Sequence, residues 1–268
     1  MIHTHDLTFG YPHHTPLFQD FNWQVQRGEM WAILGSSGCG KTSLLYLLAG
    51  LHTPTGGRIA IDGESLLRPR PRTGLILQDY GLLPWATVRQ NAELGLQVRD
   101  FYGPDGKHTP VNFQAENRVP YWLERLGLST VADKFPSQLS GGQRQRTAIA
   151  RTLAVQPDLL LMDEPFSSLD AVTREDLQNL TLSLCREQNL TLVMVTHAIE
   201  EAAALGQKIL LLDTAPNQTA RIFDNPQAGQ PVHRNSQAYH ELCQTLWREM
   251  RHEIPSPQPS PEGRGSMQ

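Results

Sequence analysis

Cysteine is scarce in this chain of 268 residues, which contains Cys39, Cys185 and Cys243 and no others. Three widely spaced thiols do not make a disulfide framework, and they lack the paired spacing of a structural zinc site. The chain has no run of about 18 apolar residues, which a membrane-spanning helix requires. Its first six residues lack the basic and then apolar pattern of a signal peptide. The sequence therefore predicts a protein of a reducing compartment that reaches a membrane only through a partner.

A strong charge of either sign is also absent. Acidic residues number 27 and basic residues 23, so the formal net charge is -4. This balance gives no reason to expect nucleic acid as a partner. Hydrophobic residues make up 39% of the chain and charged residues 19%, which is ordinary for a globular protein with a proper core.

A glycine-rich loop at residues 35–42 is the strongest chemical feature that is present. It reads Gly-Ser-Ser-Gly-Cys-Gly-Lys-Thr and fits the phosphate-loop pattern Gly-x4-Gly-Lys-[Ser/Thr] at each fixed position. An apolar segment at 29–34 predicts a strand before it, and leucines at helical spacing predict a helix after it. The backbone N–H groups of such a loop face one anion, and the start of the helix adds its positive end.

The loop predicts a nucleotide site. Lys41 is expected to reach the β- and γ-phosphates, and Thr42 is expected to offer its hydroxyl to Mg²⁺. The residues predicted to bind the nucleotide here are Gly35, Ser36, Ser37, Gly38, Cys39, Gly40, Lys41, Thr42 and Ser43. The neighbouring lysine also suggests a reactive thiol at Cys39, although a small residue tolerated in a tight loop is the simpler interpretation.

The periodicity of apolar residues predicts an alternation of strands and helices. Strands are predicted at 2–9, 17–27, 29–34, 58–63, 74–78, 159–164, 191–196, 208–213 and 220–223, and helices at 44–48, 87–99, 116–126, 140–155, 173–188, 199–205 and 238–251. Thr173 and Asp176 form the expected capping pattern of the helix at 173–188. A polar, breaker-rich segment at 101–112 predicts a surface loop, and the Pro/Ser-rich segment 253–268 predicts disorder.

Two acids, Asp163 and Glu164, end the near-continuous apolar strand at 159–164. Such a strand is typical of a parallel sheet that is buried on both faces, where paired carboxylates are costly without a cation or hydrogen-bond partners. Beside Lys41 and Thr42, Asp163 is predicted to orient Mg²⁺ and Glu164 to polarise an attacking water. The alternative is a pair of solvated acids at an ordinary strand end.

A second anion site is predicted where Leu-Ser-Gly-Gly-Gln, at residues 139–143, precedes a long helix. Ser140 is a good N-cap, and Gly141 and Gly142 leave backbone N–H groups bare. With Gln143 and the following Arg-Gln-Arg, this segment resembles the signature motif of the ATP-binding subunits of ABC transporters. The resemblance covers roughly residues 2–225.

The resemblance implies an α/β fold of the P-loop NTPase (RecA-like) type, with a mostly parallel sheet core, an antiparallel β subdomain and an inserted helical subdomain. It implies one ABC ATPase domain at 1–252. Its parts are a nucleotide-binding core at about 1–80 and 156–225, a helical signature subdomain at about 81–155 and a C-terminal helix at about 236–252.

Further residues match the motifs of that family in its order. The resemblance implies that Gln78 approaches Mg²⁺ and the attacking water, that His197 contacts the γ-phosphate, and that Asp170 belongs to the D-loop next to the nucleotide. Tyr11 matches the aromatic residue that stacks on adenine, although Phe9 lies nearby. The implied catalytic residues are Glu164, His197, Gln78 and Lys41, the implied metal ligands are Thr42, Gln78 and Asp163, and the signature residues Ser140, Gly141, Gly142 and Gln143 bind ATP across a dimer.

The resemblance also implies partners and a location. These are a second ATP-binding subunit, integral membrane permease subunits that contact the segment between Tyr80 and Trp85, and indirectly a periplasmic or lipoprotein solute-binding protein. The protein would lie peripherally on the cytoplasmic face of a bacterial inner membrane. The segment from Gln78 to Leu96 resembles importer subunits for nitrate, aliphatic sulfonates and taurine. A thiamine-precursor importer and a soluble ABC ATPase that is not coupled to transport are the alternatives, whereas the signature motif contradicts a phosphate-loop kinase.

Overall fold

The strands form two sheets in the computed structural model, which describes residues 1–102, 117–230 and 233–251. They are β1 (Ile2–Phe9), β2 (Phe18–Val25), β3 (Met30–Gly35), β4 (Gly56–Ile61), β5 (Glu64–Ser65), β6 (Thr73–Ile76), β7 (Leu159–Asp163), β8 (Thr191–Val195), β9 (Lys208–Leu212) and β10 (Arg221–Asp224). One sheet has the order β2-β1-β4-β5 and is antiparallel, and the other has the order β10-β9-β3-β8-β7-β6. In the larger sheet β9, β3, β8, β7 and β6 are parallel and β10 is antiparallel. The predicted fold class is confirmed.

Helices cover both faces of the larger sheet. They are α1 (Lys41–Leu48), α2 (Val88–Tyr102), α3 (Arg118–Arg125), α4 (Gly141–Ala154), α5 (Ala171–Glu187), α6 (Ile199–Leu205) and α7 (Gln237–Arg251), with short 3₁₀ turns at Ser129–Val131, Pro136–Gln138 and His233–Asn235. In the described ranges, no helix combines the length and the hydropathy needed to cross a membrane.

Strand β3 shows why the central sheet is buried on both faces. Successive side chains of a strand point to opposite faces, so Met30 and Ala32 pack into the core cluster under α4 and α5, whereas Trp31 and Ile33 pack into the cluster that contains α1 and the antiparallel sheet. All six residues of β3 are buried. Apolar residues at every position of a strand therefore correspond to two hydrophobic cores, one on each side.

The strand order places three loops side by side. β8 lies between β3 and β7, and all three run parallel. Their carboxyl ends consequently share one edge of the sheet, which is where open α/β sheets bind ligands. The phosphate loop, the Asp163-Glu164 pair and the turn with His197 leave the sheet at this edge.

Two sequence-based predictions need correction. Helix α5 begins at Ala171 with Asp170 as its N-cap, so the predicted cap formed by Thr173 and Asp176 is wrong. The predicted loop at 101–112 is wrong at its start, because α2 continues to Tyr102. The rest of that loop and the predicted disorder at 253–268 lie outside the described residues.

A buried carboxylate ties β6 to β7 at the edge of the larger sheet. Asp158 is 4% exposed, and Arg70 donates to both of its carboxylate oxygens, with Nη2 2.7 Å from Oδ2. Nε of Arg72 lies 3.3 Å from the same Oδ2, on a side chain that is 57% exposed. Arg70 is the closer and less exposed partner of this carboxylate.

We expect Arg70→Ala to lower the free energy of unfolding by about 3 kcal/mol, because it leaves the charge of a buried carboxylate undercompensated. Arg72→Ala removes an exposed partner, and we expect it to cost about 1 kcal/mol or less. Denaturation in urea measures both values. Equal effects of the two substitutions would contradict this assignment of the buried ion pair.

Candidate functional site

The phosphate loop borders a cavity of about 580 Å³. Gly38 and Gly40 adopt positive φ values of 82° and 108°, in a region that suits glycine. A Cβ atom at Gly40 would lie 3.0 Å from the ring of Phe18, so this glycine is also needed for space. The lining residues are Tyr11, His14, Thr15, Leu17, Ser37, Gly38, Gly40, Lys41, Thr42, Ser43, Glu164 and Ala215.

The ammonium group of Lys41 lies inside the loop. Its Nζ donates to the carbonyl oxygens of Gly35 at 2.9 Å and Ser36 at 2.8 Å, and the residue is 8% exposed. A buried cation at the start of a helix is a favourable environment for an anion, because both carry positive potential. The loop can therefore hold a phosphate group through its charge as well as its backbone.

Thr42 and Asp163 bring a hydroxyl and a carboxylate together. Thr42 donates through Oγ1 to Asp163 Oδ1 at 3.2 Å. Burial raises the pKa of Asp163, and the charge of Glu164 also raises it, while the Thr42 hydrogen bond and the charge of Lys41 lower it. A divalent cation at this point would offset the cost of the buried negative charge, and Mg²⁺ prefers such oxygen ligands. These residues fit a magnesium site.

Glu164 is held in an unusual conformation between two polar side chains. Its φ is +43°, which is uncommon for a residue other than glycine. Oε1 lies 3.0 Å from Nδ1 of His197, and Oε2 accepts a hydrogen bond of 3.4 Å from Gln78. The hydroxyl of Ser167 donates to the Glu164 carbonyl at 3.0 Å. Backbone strain of this kind clusters at functional sites, where the surrounding structure maintains it.

Tyr11 lies on the wall of the same cavity and is 42% exposed. Its hydroxyl is 3.2 Å from Ser43 Oγ and 3.3 Å from His52 Nε2. Phe9 is buried, with its ring centre 5.3 Å from that of Tyr11. Between these two aromatic residues, Tyr11 is the one available for a flat ligand.

The signature residues lie apart from this cavity within one chain. Ser140 caps α4 by accepting a hydrogen bond of 3.2 Å from the N–H of Gln143, whose side chain binds back to the Ser140 N–H. A Cβ at Gly141 would lie 3.0 Å from Leu169, and one at Gly142 would lie 2.7 Å from Thr173. These glycines therefore let α4 approach the start of α5, where Asp170 accepts from the Thr173 N–H at 3.0 Å.

Several supports of the site were missed by the sequence analysis. Asn217 donates to the carbonyl oxygen of Cys39 at 2.9 Å and so braces the phosphate loop. Arg151 donates to the carbonyl oxygens of Tyr80 and Gly81, the former at 2.8 Å. The hydroxyl of Tyr80 lies 2.7 Å from that of Ser168. These contacts join positions that are distant in the chain, and no local pattern indicates them. His14 and Thr15 also line the cavity, but they belong to no sequence motif that would have indicated this position.

The thiol of Cys39 points away from solvent. The residue is 2% exposed, and its Sγ would be 2.7 Å from a Cβ atom at Gly35. Its side chain fills space under the loop.

Comparison with known proteins yields a family and close relatives. The ABC transporter family model matches residues 18–167. The aliphatic sulfonates import ATP-binding protein SsuB of Bacillus thuringiensis subsp. konkukian (strain 97-27) is 34% identical over 236 residues, which cover 88% of this chain and 89% of that protein. The taurine import ATP-binding protein TauB of Yersinia pestis bv. Antiqua (strain Antiqua) is 43% identical over 203 residues, 76% of each chain.

A solved structure has the same fold. It is the dimeric structure of a post-hydrolysis state of an ATP-binding cassette bound to ADP and Pi. It superposes with a TM-score of 0.69 at 29% identity and covers 84% of this chain and 98% of that one.

Proposed function

The chain belongs to the ABC transporter family as an ATP-binding, ATP-hydrolysing subunit, and from that premise we propose that it powers uptake of a small solute through a separate permease. One observation carries the chemical part of this proposal. The carboxylate of Glu164 lies between His197 and Gln78 and faces the cavity that contains Lys41 and Thr42. A base is thus held beside a site built for phosphate.

We assign Glu164 as the general base. A water molecule gives a proton to this carboxylate while its oxygen forms a bond to the γ-phosphorus, and the bond from that phosphorus to the ADP oxygen breaks. The electron pair of the broken bond stays on ADP. Lys41 and the loop N–H groups hold the phosphates, and His197 orients the carboxylate through the contact at 3.0 Å. Tyr11 offers a stacking surface to the adenine.

Thr42, Asp163 and Gln78 are the residues that would hold Mg²⁺. A bound Mg²⁺ neutralises charge on the phosphate oxygens. The pair of Thr42 and Asp163, 3.2 Å apart, supports this assignment.

We propose that two copies share each nucleotide. The N-terminal end of α4 is a second anion site, with an exposed Ser140, and it does not border the cavity of its own chain. A partner's α4 would place Ser140, Gly141, Gly142 and Gln143 over the phosphates held by the loop, with Asp170 near the same interface. The solved relative in dimeric form supports this arrangement. In the proposed domain division, α4 belongs to a separate helical subdomain at residues 81–155.

The proposals for the solute and for the membrane partner are based on the similar proteins described above. Import proteins for sulfonates and taurine at 34% and 43% identity support a small solute of that class. We propose that the permease binds the segment between Tyr80 and Trp85, on the cytoplasmic face of a bacterial inner membrane. Within that segment Tyr80 is buried by its contact with Ser168, whereas Trp85 is 73% exposed. Trp85 is therefore the large apolar side chain of this segment that is most exposed to a permease.

We expect a tagged chain to co-purify with an integral membrane protein from detergent extracts of the bacterial membrane. Trp85→Glu should reduce the captured amount at least tenfold, because buried tryptophans dominate interface energies. Trp247→Glu is the matched control, since Trp247 is also exposed, at 48%, but lies on α7. Equal capture by both variants would contradict the assigned contact. A failure to capture any membrane protein would contradict the transport function.

In the captured complex, with a solute-binding protein added, taurine, aliphatic sulfonates and nitrate can be compared as stimulators of ATP hydrolysis.

A further inference from the structure

A second cavity, of about 430 Å³, lies behind the turn that carries His197. Its lining comes from the loop between β7 and α5, the turn after β8, helices α5 and α6, and the segment at residues 233–251, called the C-terminal segment below. The lining residues used below are Gln178, Thr196, His197, Glu201, Arg234 and Tyr239. The C-terminal segment thus reaches the back of the catalytic edge.

A chain of hydrogen bonds starts at Arg234 in this segment. Nη2 of Arg234 donates to Gln178 Oε1 at 2.6 Å. Nε2 of Gln178 donates to Glu201 Oε1 at 2.9 Å. Gln178 is 3% exposed and Glu201 is 7% exposed, so the amide has one orientation that satisfies both neighbours. Buried and satisfied networks of this kind are rigid.

The chain continues to the proposed base. The Thr196 hydroxyl lies beside the Glu201 carboxylate and lowers its pKa, and Thr196 Oγ1 accepts a hydrogen bond from the Ala198 N–H at 3.1 Å. Thr196 and Ala198 flank His197, whose Nδ1 lies 3.0 Å from Glu164. Burial raises the pKa of Glu201, while hydrogen bonds from Thr196 and Gln178 lower it. The two donors therefore oppose the effect of burial and favour the ionised acceptor.

The end of the network at Arg234 is anchored by the start of α7. The hydroxyl of Tyr239 donates to the carbonyl oxygen of Glu200 at 3.1 Å, and Nη1 of Arg234 lies 3.8 Å from Glu175. Leu246 of the same helix is fully buried. Arg234 is thus held against α5 by two of that helix's residues, Glu175 and Gln178.

We infer that Gln178 and Arg234 are positioning residues for His197, and that the C-terminal segment sets the orientation of the His197 ring through Glu201 and Thr196. This inference rests on the proposed ATPase function of the same site. Neither residue touches the phosphate cavity. Without Arg234 the Gln178 amide can rotate, and the Glu201 carboxylate beside Thr196 then loses the fixed donor that Gln178 Nε2 provides at 2.9 Å.

The test compares three variants of the full-length chain. Arg234→Ala removes the donor to Gln178, Arg234→Lys retains a cationic donor, and Arg248→Ala is the control. Arg248 is an exposed arginine of the same C-terminal segment, on α7, and it does not line the second cavity. The measurements are kcat and KM for ATP, the thermal midpoint, and the NMR signals of the His197 ring. His197→Gln identifies those signals among the ten histidines.

For Arg234→Ala we expect kcat to fall about 3- to 30-fold, the range for residues that act on a site through others. KM for ATP should stay within about twofold of wild type, since the residues that bind phosphate are untouched. The His197 signals should shift, and Arg234→Lys should restore most of kcat and the original signals. Arg248→Ala should match wild type in every measurement.

Other outcomes distinguish a failure of this inference from a failure of the proposed ATPase function. If wild type hydrolyses ATP and Arg234→Ala leaves kcat unchanged, the inference is overturned and the ATPase function stands. The same holds if only KM changes, or if Arg248→Ala loses as much activity as Arg234→Ala. A wild-type protein that does not hydrolyse ATP would overturn both.

Discussion

Glu164→Gln should lower kcat for ATP hydrolysis by about 10²- to 10⁴-fold, the usual contribution of a general base. Glutamine has nearly the shape of glutamate but cannot accept the proton of the attacking water. Affinity for ATP should change little, because Lys41 and the phosphate loop remain in place. The Glu164 carboxylate stands between His197 at 3.0 Å and Gln78 at 3.4 Å, and the glutamine amide can keep contacts with both.

The same variant should accumulate as a closed dimer with Mg²⁺ and ATP, since closure is favoured by ATP and ended by its hydrolysis. Size-exclusion chromatography with and without ATP measures this, and fluorescence titration measures affinity. Glu187→Gln is the control, because Glu187 is an exposed acid paired with Arg125 on the surface. A Glu164→Gln protein that turns over ATP at the wild-type rate, or stays monomeric with Mg²⁺ and ATP, would refute the proposed mechanism.

Two inactive variants should restore activity when mixed, because each proposed site takes its loop from one copy and its signature helix from the other. Lys41→Ala removes the phosphate-binding cation. Ser140→Asp retains an N-cap as good as serine but places a negative charge where the γ-phosphate would lie. Each variant alone should lose at least about 10²-fold in kcat. Ser140→Asn retains the cap without the charge and should lose far less.

In an equal mixture, about half of the dimers contain one copy of each variant, and one of their two sites is intact. We therefore expect about one quarter of wild-type activity if the sites act independently. Native mass spectrometry measures the fraction of mixed dimers, and a phosphate-release assay measures turnover. Mixed dimers without recovered activity would contradict the proposal that one loop and one partner helix make a complete site.

Local chemistry explains which elements the sequence predicts well. Helix α6 has the predicted bounds, Ile199–Leu205, and Ser140 caps α4 as expected. Both depend on residues within one or two helical turns of each other. The phosphate loop likewise depends on its own glycines and on the strand and helix beside it.

The start of α5 shows where local chemistry is insufficient. Asp170 and Thr173 are both able to cap a helix, and local sequence does not choose between them. In the folded chain Thr173 lies against Gly142 of α4, and Asp170 accepts its N–H. Packing between two helices therefore decides where α5 begins.

The sequence alone determined the chemical groups of this protein: a phosphate loop, two acids at the end of an apolar strand, and a capped helix with two glycines. These patterns are local, because propensity, capping and apolar alternation act over a few residues. Only the tertiary structure decided which groups meet. The parallel order of β3, β8 and β7 brings Thr42 to Asp163 and His197 to Glu164. Strand order likewise places Asn217 under the phosphate loop and Arg234 behind His197, since such contacts depend on which strands become neighbours and not on spacing along the chain.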